Sequence, residues 1–474
     1  MQLHVSLSGR ADLSGQLYRQ IRSAIEDGLI RAGEAMPSTR ELAQQLNVSR
    51  GTVTVTYDRL VAEGHLRSRA GAGTFVSAVA SAQPPRSLAG SPLRPRPVWD
   101  GIDEGPDMSR LSPEFDFRCG IPDQSLFPYA TWRALMADQL RPSAVGSGSH
   151  IGAAGHPGLR AAIARHIGVS RSVQAAPEDV FVTSGSQQAI DLVARVLLEP
   201  GDLVAVEDPG YPPPRGAFVS SGCRVVGVPV DAEGLVVDAV PAEARLVYVT
   251  PSHQFPLGTV MSLSRRRQLL DWAERADAVI VEDDYDSEFR YGGRPLEPLH
   301  RLDHTGRVLY VGSFSKVLLP TLRLGFVVAP TPLHSALRKA KHVADWHTSV
   351  PIQAATARFI ESGHLARHVR RMRGVYAARR DAVRSGLADS LADHLEVLPS
   401  AAGLHVTATF RAPRDDRRIT RGALSDGLAV QPLSLFGLAE PGPPGVMIGF
   451  GAIGAERIPE GLRRLRAAIE RSEG

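Results

Sequence analysis

A stretch of about thirty residues without any periodicity constrains this chain more than any other feature. From Ala78 the sequence runs AVASAQPPRSLAGSPLRPRPVWDGIDEGP, rich in Pro, Ser, Ala and Gly. Such a segment has no apolar face to bury and reads as a semi-extended linker. A connection of that length inside one compact domain would be unusual. The chain therefore divides into a small domain at 1–77, a linker at 78–110 and a large domain at 111–474. No internal repeat is present.

Composition narrows the class. Of 474 residues 43% are hydrophobic and 22% charged, which is ordinary for a globular protein and excludes disorder of the whole chain. No apolar run reaches about 18 residues, so no membrane span is expected. The N-terminal stretch lacks the layout of a signal peptide, which argues for the cytoplasm. Two cysteines, Cys119 and Cys223, cannot build a disulfide framework or a Cys-rich metal site. A net charge of +4 is too balanced to indicate nucleic-acid binding by itself. Of the 54 basic residues only Lys316, Lys339 and Lys341 are lysine. Chemistry that needs a primary amine has few candidates here.

Three helical patterns fit the first 64 residues. The first starts near Ser14, a candidate N-cap, carries Leu17, Ile21 and Ile25 on one face and runs out near Gly28. The second follows Pro37: Ser38 with Glu41 three positions on reads as a capping box, and Leu42 and Leu46 form the apolar face. A short turn at Asn47-Val48 leads to Ser49, a second N-cap, and to a helix with Val53, Tyr57, Leu60 and Val61 inward. Ser49, Arg50, Thr52 and Thr54 are then left near its exposed start. Two short helices joined by a tight turn have helix-turn-helix spacing, and Arg50 could bridge guanine O6 and N7. The run from His65 to Val76 reads as strand, glycine turn, strand: a hairpin wing opening with Arg67 and Arg69.

The order of capping box, turn, Ser-Arg, apolar helix and basic glycine hairpin from Gly28 to Val76 resembles the winged helix-turn-helix of GntR-type regulators. The resemblance implies double-stranded DNA as partner. Arg40, Ser49, Arg50, Thr52 and the wing near Gly73 and Thr74 would touch it, some on phosphate and some on bases.

From Leu111 onward apolar runs alternate with helical patterns. Strands are expected at 180–183, 203–206, 225–228, 246–249, 278–281, 308–311 and 324–328, with helices between several of them, such as 264–276. This is an α/β layout with a mostly parallel sheet and ligands at the strand C-terminal ends. Four strand ends carry chemistry. Thr183-Ser184-Gly185-Ser186-Gln187 opens a helix, where free N–H groups suit a phosphate. Glu282-Asp283-Asp284-Tyr285 places carboxylates where one could pair with a ring nitrogen cation. Ser313-Phe314-Ser315-Lys316 holds one of the three lysines, an amine that becomes nucleophilic toward aldehydes in an apolar pocket, with Arg323 seven residues on as a phosphate partner. Asp208-Pro209-Gly210-Tyr211 supplies an aromatic that could stack on a planar ring. Taken singly, the first also reads as a capped helix and the second as a solvated acidic loop. Together they describe a pyridoxal 5'-phosphate (PLP) site.

Residues from about 115 to 455 resemble fold-type I aminotransferases, in FDFRCGIPDQSLFP, HPGLRAAIARHI, VTSGSQQAIDLVARVLLEPGD, EDPGYP and YVGSFSKVLLPTLRLGFVVAP. TPSHQFPLG together with EDDYDSEFRY is characteristic of the MocR subgroup of GntR-type regulators, in which such a domain is fused to a winged helix. The resemblance implies that Lys316 forms the Schiff base with PLP, that Asp283 faces the pyridine nitrogen and Tyr285 the O3′ oxygen, with His253 near O3′ as well. Tyr211 would stack on the ring. Ser184, Gly185, Ser186, Gln187, Ser313, Ser315 and Arg323 would surround the phosphate. A homodimer, often head-to-tail, and two DNA half-sites are further implications.

One departure stands out. Many relatives carry an arginine that grips an α-carboxylate where this chain has Met447, and methionine cannot make that bidentate pair. Arg215 is the remaining candidate contact for an effector anion. The leading expectation is a PLP-dependent transcriptional regulator that senses PLP itself or an amino compound and governs metabolic genes, vitamin B6 or amino-acid metabolism among them. The alternative is an active aminotransferase with a DNA-binding appendage. A third reading, a PLP-like domain kept only for dimerisation, gives no reason to retain Lys316, Asp283, Tyr285 and Arg323 together.

Overall fold

The computed structural model describes residues 5–7, 9, 12–69, 71–77, 94–102, 111–145, 150–292, 297–438 and 441–472. The chain forms two compact units, Met1–Pro95 and Arg96–Gly474. Most of segment 78–110, expected as linker, lies outside the described residues. Within it Pro97–Gly101 forms a 3-10 turn, opened by Pro97, whose fixed φ suits a first helical position.

In the small unit, helix α1 (Leu13–Glu26) starts one residue ahead of the expected cap at Ser14, because the Asp12 carboxylate accepts from Gly15 N–H at 3.2 Å. Its inward face is Leu17, Tyr18, Ile21 and Ile25. Helix α2 (Thr39–Leu46) is capped by Ser38, whose hydroxyl accepts from Glu41 N–H at 3.2 Å. Leu42 and Ala43 are its buried residues, and Leu46 packs only partly buried against the core. Asn47 takes a left-handed φ of 50°, which turns the chain sharply into helix α3 (Arg50–Ala62). Val53, Thr56, Tyr57 and Leu60 of α3 point inward, and the Tyr57 hydroxyl donates to Pro37 O at 2.9 Å, tying α3 to the start of α2. Strands β1 (Leu66–Arg69) and β2 (Gly73–Val76) pair antiparallel as the wing. Their turn includes Gly71 and Gly73 at φ of 76° and 103°, conformations that side chains resist. Ala70, expected in this turn, lies outside the described residues. Met36 N–H donates to Thr74 O, which fastens the wing to the segment before α2.

The large unit is organised by an eight-stranded sheet. Its strands are β3 (Val180–Thr183), β4 (Leu203–Asp208), β5 (Arg224–Asp231), β6 (Gly234–Leu235), β7 (Ala244–Val249), β8 (Val279–Asp284), β9 (Val308–Ser313) and β10 (Gly325–Val328). The spatial order is β3-β10-β9-β8-β7-β4-β5-β6. β9, β8, β7, β4 and β5 run parallel, while β10 runs antiparallel to β9 and β3, and β6 antiparallel to β5. Seven of these are the expected strands, several of them longer than their apolar runs; the short β6 was not foreseen. The mostly aliphatic, doubly buried strands suit a parallel sheet covered on both faces. One face packs on Ile190, Val193 and Phe218, the other on Leu269, Trp272 and Met261.

A second sheet was not foreseen from the sequence. It pairs β11 (Leu395–Val397), β12 (His405–Phe410), β14 (Gly445–Gly449) and β13 (Gln431–Pro432) in that order, all antiparallel. Val406, Ala408, Val446 and Ile448 face the main core, with residues of the long helix His364–Ser390. Successive residues alternate faces, so His405, Thr407 and Met447 point the other way, toward the loop after β7.

Leu60 is fully buried in the small core. Leu60→Ala is expected to cost about 2–5 kcal/mol. Urea unfolding of the full chain should show this as a lowered midpoint for the small unit, with the large unit's transition unmoved.

Candidate functional site

Strand register assembles the site. Thr183, Gly325 and Ser313 stand side by side across β3, β10 and β9, so the segments leaving these strands meet at one edge. One residue back along β9, Gly312 pairs with Asp284, which brings the end of β8 beside the end of β9.

At the first strand end the helix α4 (Ser186–Leu197) has Gly185 as its N-cap, at φ 81°, with no side chain capping it. Its leading N–H groups are thus open to an anion. Arg323, in a left-handed turn at φ 48°, donates from Nη2 to Ser184 O at 3.0 Å. A Cβ at Gly185 would come within 2.8 Å of that guanidinium, so only glycine lets Arg323 lie across the loop. Ser313 Oγ donates to Ser315 Oγ at 3.0 Å and accepts from Ser315 N–H. Gln187 reaches Pro213 O. Ser184, Gly185, Ser186, Gln187, Ser313, Ser315 and Arg323 therefore come from three segments converging at one strand edge. Gln188, not foreseen, steadies the loop: its carbonyl accepts from Ser184 N–H and its amide donates to Asp345.

Alternation along β8 divides its carboxylates. Asp284 turns to the far side, where Arg171 Nε at 2.7 Å and Tyr310 Oη at 2.6 Å hold it. Glu282, on that side too, accepts the N–H groups of Leu299 and His300. Asp283 faces the site. It is 2% exposed, and its Oδ2 accepts from Tyr248 Oη at 2.6 Å. Its Oδ1 is buried without a hydrogen-bond partner. Burial pushes this carboxyl up to about 7, against which the Tyr248 hydrogen bond works. An orphaned carboxylate oxygen is costly in a protein interior unless a donor or cation meets it. Such an atom fits a protonated ring nitrogen.

Tyr285 Oη donates to His253 O at 3.0 Å and also stands 3.0 Å from Nδ1 of that ring. His253 is 1% exposed, with Nδ1 at 2.9 Å from Asp286 and Nε2 at 2.9 Å from Ser400. The imidazole is thus clamped on both nitrogens and positions Tyr285. Tyr211 stands exposed at the start of helix α5 (Pro212–Ser220), its ring edge-on to Phe255 with a centroid distance of 5.3 Å. Lys316 is half-buried and its Nζ donates to Gly120 O at 2.7 Å. Burial lowers the amine's pKa, opposed by the nearby Asp286. A less protonated amine is a better nucleophile.

Arg215 departs from its expected role as an effector contact. Its guanidinium donates to Gly210 O at 3.0 Å, Phe436 O at 2.6 Å and Gly437 O at 3.2 Å. It straps the Tyr211 turn to segment 436–437, where Gly210 N–H also donates to Phe436 O at 3.0 Å. Two other groups were not foreseen. Tyr248 is the one phenol in the aliphatic strand β7. Glu207 on β4 is buried, binds Thr250 with one oxygen and has the other unpartnered, and burial pushes it up to about 7.

On the small unit, Arg40 and Arg50 are exposed, Arg50 reaching Thr39 Oγ1 at 3.4 Å. Ser49 Oγ caps α3 through Thr52 N–H and meets Thr52 Oγ1 at 2.9 Å, so both hydroxyls have work within the helix start. Gly73 is exposed at the wing turn, and Thr74 lies next to it, half-buried, across from Ser68.

Comparison with known proteins agrees with this geometry. Residues 13–76 match the family model "Bacterial regulatory proteins, gntR family", and residues 125–464 match "Aminotransferase class I and II". The chain is 38% identical to the probable rhizopine catabolism regulatory protein MocR of Rhizobium meliloti, over 96% of this chain and 93% of that one. It is 33% identical to the HTH-type pyridoxine biosynthesis transcriptional regulator PdxR of Corynebacterium glutamicum, over 92% of this chain and 91% of that one. Among solved structures it resembles the Pyrococcus horikoshii kynurenine aminotransferase in complex with PMP, with a TM-score of 0.71 and 28% identity, covering 80% of this chain and 95% of that one. Fold and site thus define a winged-helix unit fused to an aminotransferase-type α/β unit. The chain belongs to the MocR subgroup of the GntR family.

The buried Asp283 gives a pH test. Its folded pKa lies above its unfolded value of about 4, so the stability it contributes is full below about pH 4 and is lost as pH rises through about 7. Thermal unfolding of cofactor-free protein should show Asp283→Asn gaining on the native chain between about pH 4 and 7. Parallel pH profiles for the two would contradict this.

Proposed function

We propose that this protein is a PLP-dependent transcriptional regulator: the small unit binds operator DNA and the large unit binds PLP, alone or with an amino compound, to alter that binding. The observation that carries the cofactor half is the orphaned, buried Oδ1 of Asp283 on the same strand edge as Lys316 and the Gly185–Arg323 cradle. The regulator half is supported by the exposed Arg40 and Arg50 on a complete winged-helix frame, and by the regulators named among its relatives.

PLP, when bound, supplies an aldehyde that traps amines and a ring that draws off electrons. In this reading Lys316 would hold the aldehyde carbon. Asp283 would pair with the ring nitrogen, kept in place by Tyr248. Tyr285, steadied by His253, would donate to the phenolic oxygen, and Tyr211 would cover the ring. The Gly185 N–H face, Ser184, Ser186, Gln187, Ser313, Ser315 and Arg323 would enclose the phosphate. Arg50 would read a base, with Arg40, Ser49, Thr52, Gly73 and Thr74 contacting or positioning against the duplex. Regulation requires that the ligand states differ in DNA affinity. The protein would act as a cytoplasmic homodimer on two half-sites; among the described residues no helix is long and apolar enough to cross a membrane. The aminotransferase alternative is favoured by the retained Lys316, and multiple turnover of an amino donor with a keto acid would support it.

The deciding experiment titrates the purified protein onto DNA upstream of its own gene, with and without PLP, at fixed salt. Specific binding that changes with PLP is expected; no specific binding in either condition would overturn the regulator reading. Two variants sharpen it. Lys316→Ala should abolish the borohydride-trapped PLP adduct while leaving circular dichroism unchanged. Arg50→Ala should weaken operator binding by about 1–3 kcal/mol if it reads a guanine. An equal loss on random DNA would make it a phosphate contact instead.

A further inference from the structure

We propose that Met447 makes the ligand site select amines that lack a carboxylate and reject α-amino acids. The inference deepens the cofactor reading above and rests on it.

Met447 lies on β14 between Thr407 of β12 and Gln431 of β13, directly across the sheet from both. Residues opposed in this way share a face. That face is the one turned to the site, because Thr407 Oγ1 donates to Pro256 O at 2.6 Å and Gln431 Oε1 accepts from Cys119 N–H at 2.8 Å. Cys119 immediately precedes Gly120, whose carbonyl holds Lys316 Nζ. The residue before the lysine's own anchor thus packs on the Met447 cluster. Met447 is fully buried with Leu433 and Phe436, and Cys119, Phe255 and Leu257 pack on that cluster. The Met447 cluster is apolar, Thr407 and Gln431 beside it are neutral, and burial pushes His405 on the same face down to about 3. Asp286, which acts on Lys316 from nearby, is paired with His253 and would repel a carboxylate.

A carboxylate entering here needs a cation, since ionised groups leave water only when paired. The neighbouring guanidiniums are engaged. Arg118 grips Asp116 through Nε at 2.8 Å and Nη2 at 2.6 Å. Arg215 is strapped through both Nη atoms to the Gly210, Phe436 and Gly437 carbonyls, with only its buried Nε unpartnered. Arg323 lies on the phosphate-loop carbonyl of Ser184. An amine with an apolar body meets no such demand: it gains contact with Cys119, Phe255 and Leu257, which pack over Met447, and leaves no carboxylate unpaired. Its nitrogen, entering as the free base after giving its proton to solvent, would replace Lys316 Nζ on the cofactor's aldehyde carbon. One carbon–nitrogen double bond forms as the other breaks, the proton stays on the new linkage, and Lys316 is released as a neutral amine.

The test uses the full chain loaded with PLP. It is titrated with 2-phenylethylamine and with L-phenylalanine, which differ only by the carboxylate. Binding is read as the change in cofactor absorbance and, separately, as the change in DNA affinity. The expected result is an apparent affinity at least about tenfold tighter for 2-phenylethylamine, a ratio large enough to reflect a lost pairing group. Met447→Arg should narrow or reverse that ratio by at least about tenfold. Equal response of the native chain to both compounds, or to neither, would overturn the inference, and so would a folded Met447→Arg with an unchanged ratio. The native-chain comparison stands whether or not that variant folds. Failure of the native chain to take up PLP, visible before any amine is added, would overturn the cofactor reading and this inference with it.

Discussion

Parallel strands end at a common edge, and in this protein that geometric fact gathers the chemistry. β9 and β3 do not touch; the antiparallel β10 between them sets Thr183, Gly325 and Ser313 in one row. From that row the chain leaves in three places, carrying the Gly185 loop, Arg323 and Lys316. A one-residue slip of β10 would turn its side chains to the opposite face and pull Arg323 off Ser184. The burial of Asp283 depends on the same sheet. Its neighbour strands supply Tyr248 on one side and the Lys316 turn on the other, and the alternation of β8 sends Asp284 away to Arg171. Two adjacent aspartates thus serve opposite purposes: one is satisfied within the scaffold, the other is kept with an oxygen to offer.

Much of the small unit was legible because its signals are local. Ser38, Asn47, Ser49 and the glycines of the wing each act within four residues of themselves, and the helices followed. The misplaced start of α1 has the same kind of cause: Asp12 and Ser14 are both good caps, and only the chain's approach decides between them. The aliphatic strands of the main sheet were equally plain, since a doubly buried strand must be apolar. Lys316 stood out in a chain that uses arginine almost everywhere.

What the sequence hid was set by distant partners. β12 and β14 are short, and their pairing joins segments about forty residues apart, so neither run announces a sheet. Arg215 sits one helical turn beyond Tyr211 and looks like an anion contact. Its actual partners, the carbonyls of 436 and 437, are more than two hundred residues away. Tyr248 and Glu207 matter only because neighbouring strands bring them to Asp283 and Thr250. Ser49 and Thr52 show a subtler limit, in that a hydroxyl placed to meet DNA is also placed to close its own helix.

The scarcity of lysine has a consequence for chemical handling of the molecule. Lys341 is fully buried against Asp345 and Thr348, Lys316 is half-buried against Gly120, and Lys339 alone among the three side chains is exposed. To an acylating reagent the arginine-covered surface is nearly blank. A label or probe directed at side-chain amines would report on Lys339 and on the state of the Lys316 pocket, with almost no background from the rest of the chain.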